Sequence, residues 1–413
     1  MCQHANRIAA GEKTDADRRS KFGEFSVSTS WRQKGYNVAE MRKLAKAQLP
    51  TPVFDFADGG AQDELTKDRN ERAFADHALI PKPLNGAAAR DLSIELFGQK
   101  LSMPIIIGPT GLSGLFWPHA ERETMLAAAA AGTGMCVSHA STCTMEDLAS
   151  TGAEARWMQV FIYKDRGFTR HFMERAQDTG FDALVLTVDN QLLGRRERDL
   201  KNGFVIPPNF GLAAYLRMIA KYRWLLRMAP LLGNMKFAIY ERPGEDARLK
   251  ALAGKLAGML DPAMNWDDVK WVRDFWKKPL IIKGVLSPDE AERAIDVGAD
   301  SIIVSNHGGR QLDGAIASLD ALPAIVERVQ GRIPILLDGG VRRGSDVLKA
   351  LALGATACLL GRPQLWGVSV AGQAGVEHIL DVYAKELDVA MGLCGLTKIS
   401  EISGDLICRT GPG

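Results

Sequence analysis

The run from Ser305 to Asp313 reads SNHGGRQLD and holds an imidazole (His307), a guanidinium (Arg310) and, between them, two glycines (Gly308, Gly309). His307 can take a proton near neutral pH. Arg310 can hold a carboxylate through two parallel hydrogen bonds. The glycines let the backbone come close to a flat ligand. A base beside a carboxylate clamp suits removal of hydrogen from the carbon next to a carboxylate. An isolated histidine would read as part of an ordinary polar loop. Here the run follows the apolar segment Ser301 to Val304, so a strand end would hold it in place.

Such a loop needs a scaffold, and the chain repeats the same unit. Short apolar runs occur at 105–107, 135–137, 157–161, 183–188, 280–282, 301–304, 335–337 and 357–360. Each ends in a cluster of Gly, Ser, Asp, Asn, Lys or Arg, and a helix-like segment follows. Eight such units predict an α/β protein, a (β/α)8 TIM barrel with strands buried on both faces. A doubly wound open sheet is the alternative, but no G-x-G-x-x-G follows the first strand. The polar clusters at the strand C-terminal ends hold most of the reactive residues, as a barrel active site requires. Asp338-Gly339-Gly340 with Arg342, and Gly361-Arg362, follow strands seven and eight, where a barrel binds phosphate. The expected organisation is a polar tail over 1–37, a barrel unit over 38–400 and a C-terminal tail over 401–413. Residues 38–100 are expected to form an N-terminal helical cap.

Composition narrows the function. The chain has 413 residues, 46% hydrophobic and 24% charged, with a formal net charge of +2, which argues against general nucleic-acid binding. The six cysteines show no metal spacing, and three of them lie in or next to small-residue or apolar segments, which suits free thiols in a reducing cytosol. Nothing points to a metal. The first 30 residues are polar, without the apolar core of a secretory signal. No stretch reaches the roughly 18 to 20 apolar residues that span a bilayer. A long insertion after strand four, residues 202–262, breaks the rhythm. Within it, 212–237 mixes large apolar groups with Arg217, Lys221, Arg223, Arg227 and Lys236 and has no acidic residue. That pattern predicts either a lid packed on the barrel or a segment lying on a membrane surface. The expected location is cytoplasmic, with peripheral placement on the inner face of the cytoplasmic membrane.

Several motifs occur together and in order: TPVFDFADGGAQDE from Thr51, PTGLSGL from Pro109, LTVD from Leu186, GRRERDLKNGF from Gly194, IIKGVL from Ile281, SNHGGRQLD, LLDGGVRRGSDVLKALALGA from Leu336, and GRP from Gly361. Over roughly residues 38–395 the chain resembles the FMN-dependent 2-hydroxy-acid dehydrogenases and oxidases. The family includes glycolate oxidase, L-lactate dehydrogenase and mandelate dehydrogenase. The resemblance implies FMN as cofactor and oxidation of an (S)-2-hydroxy acid to the 2-keto acid. It implies His307 as base, Asp189 as the carboxylate that orients it, and Arg310 with Arg196 as the substrate-carboxylate clamp. Lys283 would lie beside the flavin. Pro109, Thr110, Gly111, Ser138, Gln159, Thr187 and Ser305 would contact the flavin, and Asp338, Gly339, Gly340, Arg342, Gly361 and Arg362 would hold its phosphate end. A homo-oligomer is the family habit.

The chain departs from the family pattern in its pocket. Phe56 and Phe161 stand where well-known members have tyrosines, and Ala140 stands where glycolate oxidase has a bulky aromatic. Losing two hydroxyls removes polar contacts worth on the order of 1 kcal/mol each. These changes predict a substrate larger or more apolar than glycolate. The alternatives are a lactate-like substrate or a larger hydroxy or amino compound of a biosynthetic pathway. Gly111 resembles the dehydrogenases more than the oxygen-using oxidases, so a quinone or other respiratory acceptor is expected over oxygen. A flavin-binding protein without catalysis is disfavoured, because His307, Asp189, Arg310, Arg196 and Lys283 are all present.

Overall fold

The structure, a computed structural model, describes residues 30–203, 218–241, 248 and 258–410. Eight parallel strands close into a barrel: β1 (Ile105–Ile107), β2 (Met135–Val137), β3 (Arg156–Val160), β4 (Ala183–Thr187), β5 (Leu280–Val285), β6 (Ser301–Val304), β7 (Ile335–Asp338) and β8 (Ala357–Leu360). Each pairs with its sequence neighbours, and β8 returns to pair with β1. The apolar runs read from the sequence are these strands: four coincide residue for residue, and the other four differ by one to three residues at one end or both. They are legible because a parallel strand covered on both faces needs apolar residues at nearly every position. Ile106, Cys136, Trp157, Val185, Ile281, Ile303, Leu336 and Leu359 fill the barrel interior. Their neighbours, such as Ile105, Met158, Leu184 and Ile302, pack outward in the larger core that includes the helices.

The N-terminal segment divides between the two ends of the barrel, so it is more than a helical cap. Helices Val38–Gln48, Thr51–Asp58 and Leu65–Ala75 come first. The second and third reach the C-terminal end of the strands, where Arg310 and Asp313 bind them. A hairpin follows, Ile94–Leu96 with Gln99–Leu101, turning through Phe97 and Gly98, both with positive φ. That is the turn geometry a two-residue hairpin needs. Leu96 and Leu101 pack with the barrel-interior residues, and Phe97 lies 5.8 Å from Trp157, so the hairpin plugs the other end of the barrel.

Both expected tails carry structure. Within the N-terminal stretch, Ser30–Lys34 is helical and buries Trp31; residues 1–29 lie outside the described residues. Within the C-terminal stretch, Ile407–Arg409 pairs antiparallel with His77–Leu79.

The described part of the insertion contains helix Tyr222–Leu232 and a turn at Ala238–Tyr240. Its residues face two ways. Trp224 is 3% exposed and donates its indole N–H to the Leu115 carbonyl at 3.0 Å, and Met228 is buried. Trp224 is therefore a core residue and not an interfacial one. Arg227 stacks on Trp117 at 3.8 Å. Ile219, Tyr222 and Leu226 are exposed. Residues 212–217 of the basic stretch lie outside the described residues.

Candidate active site

The loops after the strands converge on one cavity at the C-terminal end of the barrel. Phe56, Pro109, Thr110, Gly111, Ser138, Ala140, Gln159, Phe161, Thr187, Arg196, Lys283, His307, Arg310, Asp338, Gly339, Gly340, Arg342, Gly361 and Arg362 all line it. Asp189 and Ser305 reach it through the side chains they bond. The sequence-predicted site residues are thus brought together.

The run after β6 is used along its length. His307 takes a left-handed conformation (φ 58) while its N–H donates to the Ser305 hydroxyl at 3.0 Å. Its Nδ1 lies 2.9 Å from Asp189 Oδ1. A carboxylate can only accept, so Nδ1 carries a proton, and in the neutral ring it is Nε2 that has the lone pair. Burial pushes the Asp189 carboxyl up, but the charge and hydrogen bond of His307, with Lys283, outweigh it and leave it below the ordinary aspartate value. Gly309 has no room for a side chain: a Cβ there would come within 2.4 Å of the Lys67 nitrogen. The Gln311 amide donates to the carbonyls of Asp189 and Leu192, tying the loop after β4 to the loop after β6. Asp313 accepts from the Thr66 N–H at 2.8 Å at the start of helix Leu65–Ala75.

Lys283 runs along the floor, 4% exposed, with Nζ 2.8 Å from Asp338 and 2.8 Å from the Ser305 hydroxyl. Burial pushes it down, yet Asp338 and Asp189 raise it above the ordinary lysine value, so it is a buried cation. β5 runs beyond Lys283 to Val285, with a bulge between them at Gly284. Gly284 is a residue the sequence reading passed over. A Cβ at its φ of 108 would lie 2.7 Å from the Asp189 carboxyl carbon, so glycine is what lets Asp189 sit there.

Arg310 and Arg362 converge on the C-terminal end of helix Thr51–Asp58. Arg310 donates to the carbonyls of Phe56 (2.7 Å) and Gly59 (3.0 Å), and Arg362 to those of Ala57 (3.0 Å) and Gly59 (2.8 Å). Helix C-terminal carbonyls favour such cations. Among the described residues, neither arginine has a carboxylate within ion-pair distance, and nor does Arg196. Burial pushes Arg310 well down, and the charges of Arg196 and Arg362 add to that. Burial brings Arg362 to about 10. Three crowded cations with carboxylates nearby, such as Asp199, but none in direct contact make a site for anions. Arg342 differs: it pairs with Glu71 at 2.8 Å and lies over the Trp366 ring.

The cavity also contains polar atoms that the protein leaves unsatisfied. Gln159 Nε2, Thr187 Oγ1, Asp189 Oδ2, Arg196 Nε and Asp338 Oδ1 are buried without a hydrogen-bond partner. Such atoms are costly unless a ligand meets them. At the ends of β7 and β8, Gly339 (φ 98) and Gly340 (φ 85) leave the backbone bare, and Gly361 caps helix Arg362–Ala371. A Cβ on Gly340 would lie 2.0 Å from the Asn70 carbonyl. Bare backbone at a helix N-terminus beside arginine fits a phosphate. The unsatisfied donors and acceptors deeper in fit a polar ring system such as a flavin, so the residues present fit FMN.

The outer wall is apolar. Phe56 and Phe161 face the cavity beside Ala140, and the Arg310 guanidinium lies 5.3 Å over the Phe56 ring. A Cβ on Gly111 would come within 2.9 Å of the Ala140 Cβ, so these two small residues share one space. The insertion adds Phe237, Tyr240 and Leu260 to the wall, which motif reading did not identify. The Tyr240 and Tyr163 hydroxyls pair at 2.5 Å, and both rings are buried. His139, also outside the expected set, packs on Phe161 with ring centroids 4.1 Å apart.

A closed barrel with an imidazole–carboxylate pair, a buried lysine and a phosphate cradle at its C-terminal end defines a flavin-dependent oxidoreductase of the 2-hydroxy-acid type. The comparisons agree. The sequence pattern of the FMN-dependent dehydrogenases matches residues 45–409. The chain is 44% identical over 370 residues to an L-lactate oxidase of Nostoc sp., covering 89% of this chain and 96% of that protein. It is 42% identical over 375 residues to an L-lactate dehydrogenase of Alcaligenes faecalis, covering 90% and 98%. The crystal structure of the monotopic membrane protein (S)-mandelate dehydrogenase superposes with a TM-score of 0.87 at 37% identity, covering 91% of this chain and 99% of that one. The chain belongs to the FMN-dependent dehydrogenase family: it uses FMN and oxidises a CH–OH group of a 2-hydroxy acid.

Proposed function

We propose that the substrate is an (S)-2-hydroxy acid with a side chain larger and more apolar than the methyl of lactate, and that the electrons pass to a membrane quinone. The observation that carries the substrate reading is the apolar wall of Phe56, Ala140, Phe161, Phe237, Tyr240 and Leu260. An apolar side chain against such a wall gains roughly 25 cal/mol per Å² removed from water.

Bound FMN supplies the two-electron acceptor. Gly339, Gly340, Gly361, Arg342 and Arg362 would hold its phosphate end, and Pro109, Thr110, Gly111, Ser138, Gln159, Thr187 and Ser305 its ring. Arg310 and Arg196 bind the substrate carboxylate, which neutralises their uncompensated charge. His307 Nε2 receives the proton that leaves the substrate. Asp189 fixes the tautomer that leaves Nε2 free and stabilises the imidazolium that forms. Lys283, a buried cation, would stabilise the reduced form of the bound cofactor. Asp338 holds Lys283 in place.

The acceptor reading draws on two features. Gly111 follows the dehydrogenases, and the insertion exposes Ile219, Tyr222 and Leu226 next to Lys221 and Arg223. A surface of that composition suits peripheral contact with an anionic bilayer. No described helix is long and apolar enough to cross a membrane. The solved structure that superposes with a TM-score of 0.87 is itself described as a monotopic membrane protein.

The test is turnover of (S)-lactate, (S)-2-hydroxy-octanoate and (S)-mandelate with a ubiquinone analogue, while peroxide is recorded in air. The expected result is higher kcat/KM for the two larger acids, with electrons recovered in the quinone. Preference for lactate would remove the substrate reading, and rapid peroxide release would remove the acceptor reading.

A further inference from the structure

His139 stands outside the machinery described so far, although it lines the same cavity. Its backbone N–H lies 3.2 Å from one terminal atom of the Gln159 carboxamide. An N–H can only donate, so that atom is the oxygen, Oε1. His139 Nδ1 lies 2.7 Å from the same oxygen and must therefore also donate. Two donors from one residue thus hold the Gln159 oxygen, and the amide NH2 points away from them. That NH2 is the buried nitrogen for which the protein provides no acceptor. The imidazole has little freedom to turn, because it is packed against the rings of Phe161 (4.1 Å) and Tyr240 (5.9 Å).

We propose that His139 is a positioning residue that locks the Gln159 carboxamide with its NH2 turned toward the flavin, and so favours flavin reduction. This rests on the placement of Gln159 beside the flavin ring proposed above. A donor at the ring edge stabilises the electron-rich reduced ring more than the oxidised one. With the Nδ1 donor removed, only the longer backbone N–H bond holds the oxygen, and the amide can rotate and offer its oxygen to that edge. Burial, with the charge of His307, brings His139 to about 4 against the opposing Gln159 bond, so the ring stays neutral at working pH. The lock is then a fixed tautomer and not a titrating charge.

The test is anaerobic redox titration of the FMN-loaded protein against a dye of known potential. His139→Leu should make flavin reduction about tenfold less favourable, a shift of ~30 mV for a two-electron couple. Gln159→Leu should do the same, and the double variant should be no worse than either single, because one interaction is being removed twice. His139→Asn places a donor near the Nδ1 position and should restore the potential. His139→Gln places one near Nε2 and should not. Additive losses in the double variant, an unchanged potential in His139→Leu, or rescue by Gln and not by Asn would each overturn the proposal. If Gln159→Leu alone left the potential unchanged, the placement of Gln159 would fail first, and the two failures are distinguishable.

Discussion

The two ends of the barrel follow opposite rules. At the hairpin end, Leu96 and Leu101 close over Ile106, Val185, Ile281 and Ile303, and the few polar side chains there, such as Ser301 and Arg156, bond mostly to backbone carbonyls. At the other end, Lys283, Gln159 and Thr187 are buried, three arginines share one region, and several polar atoms lack partners. The first arrangement lowers free energy by burial. The second raises it, and only a ligand of matching polarity recovers it. The difference teaches which end carries stability and which carries chemistry, and each can be perturbed separately.

The largest effect is expected at the chemical end. His307→Gln removes the proposed base and should slow flavin reduction by at least ~1000-fold, with little change in melting temperature. Stopped-flow absorbance and a thermal scan on the same sample check both parts. At the hairpin end, Leu101→Ala opens a cavity and should cost about 3 kcal/mol in urea unfolding, with the flavin reduction rate unchanged for folded protein. If Leu101→Ala slowed reduction as much as it destabilised the fold, the two ends would not be separable.

A smaller effect sharpens the comparison inside the pocket. Phe161→Tyr restores a hydroxyl to the apolar wall. It should raise kcat/KM for lactate roughly tenfold, the worth of one hydrogen bond, and lower it for large apolar acids. The smallest effect concerns acid stability at the chemical end. Burial pushes the Asp58 carboxyl up, but Arg42, 2.6 Å away, outweighs it and holds the group below its ordinary value. A depressed carboxyl stabilises the fold fully above the unfolded value of ~3.9 and loses that contribution as pH falls through the folded value. Arg42 is 43% exposed, so solvent screening limits the gain to about 1 kcal/mol or less. Asp58→Asn should flatten that part of the stability–pH curve in acid titration of unfolding.

The barrel strands were legible because strands buried on both faces leave continuous apolar runs. The run from Ser305 to Asp313 was legible because so many special residue types fall together. The hairpin plug was not, since Ile94–Leu96 and Gln99–Leu101 are short and carry Glu95 and Lys100. Gly284 was hidden inside a strand, and its purpose depends on Asp189, which lies far away in sequence. His139 sits in a small-residue loop with no motif, and only the folded contact of its N–H and Nδ1 with Gln159 brings it into view. The insertion was legible only as two alternatives, a lid or a membrane-surface segment, because composition does not say which apolar groups turn inward: Trp224 enters the core while Ile219, Tyr222 and Leu226 stay exposed.

The central claim is that the polar end of the barrel oxidises an (S)-2-hydroxy acid with an apolar side chain. Anaerobic stopped-flow reduction of the bound FMN by (S)-mandelate, (R)-mandelate and (S)-lactate tests it most directly. The account predicts rapid bleaching by (S)-mandelate, slower bleaching by (S)-lactate and none by the (R) enantiomer. Faster bleaching by lactate, or a flavin that neither (S) acid reduces, would contradict it.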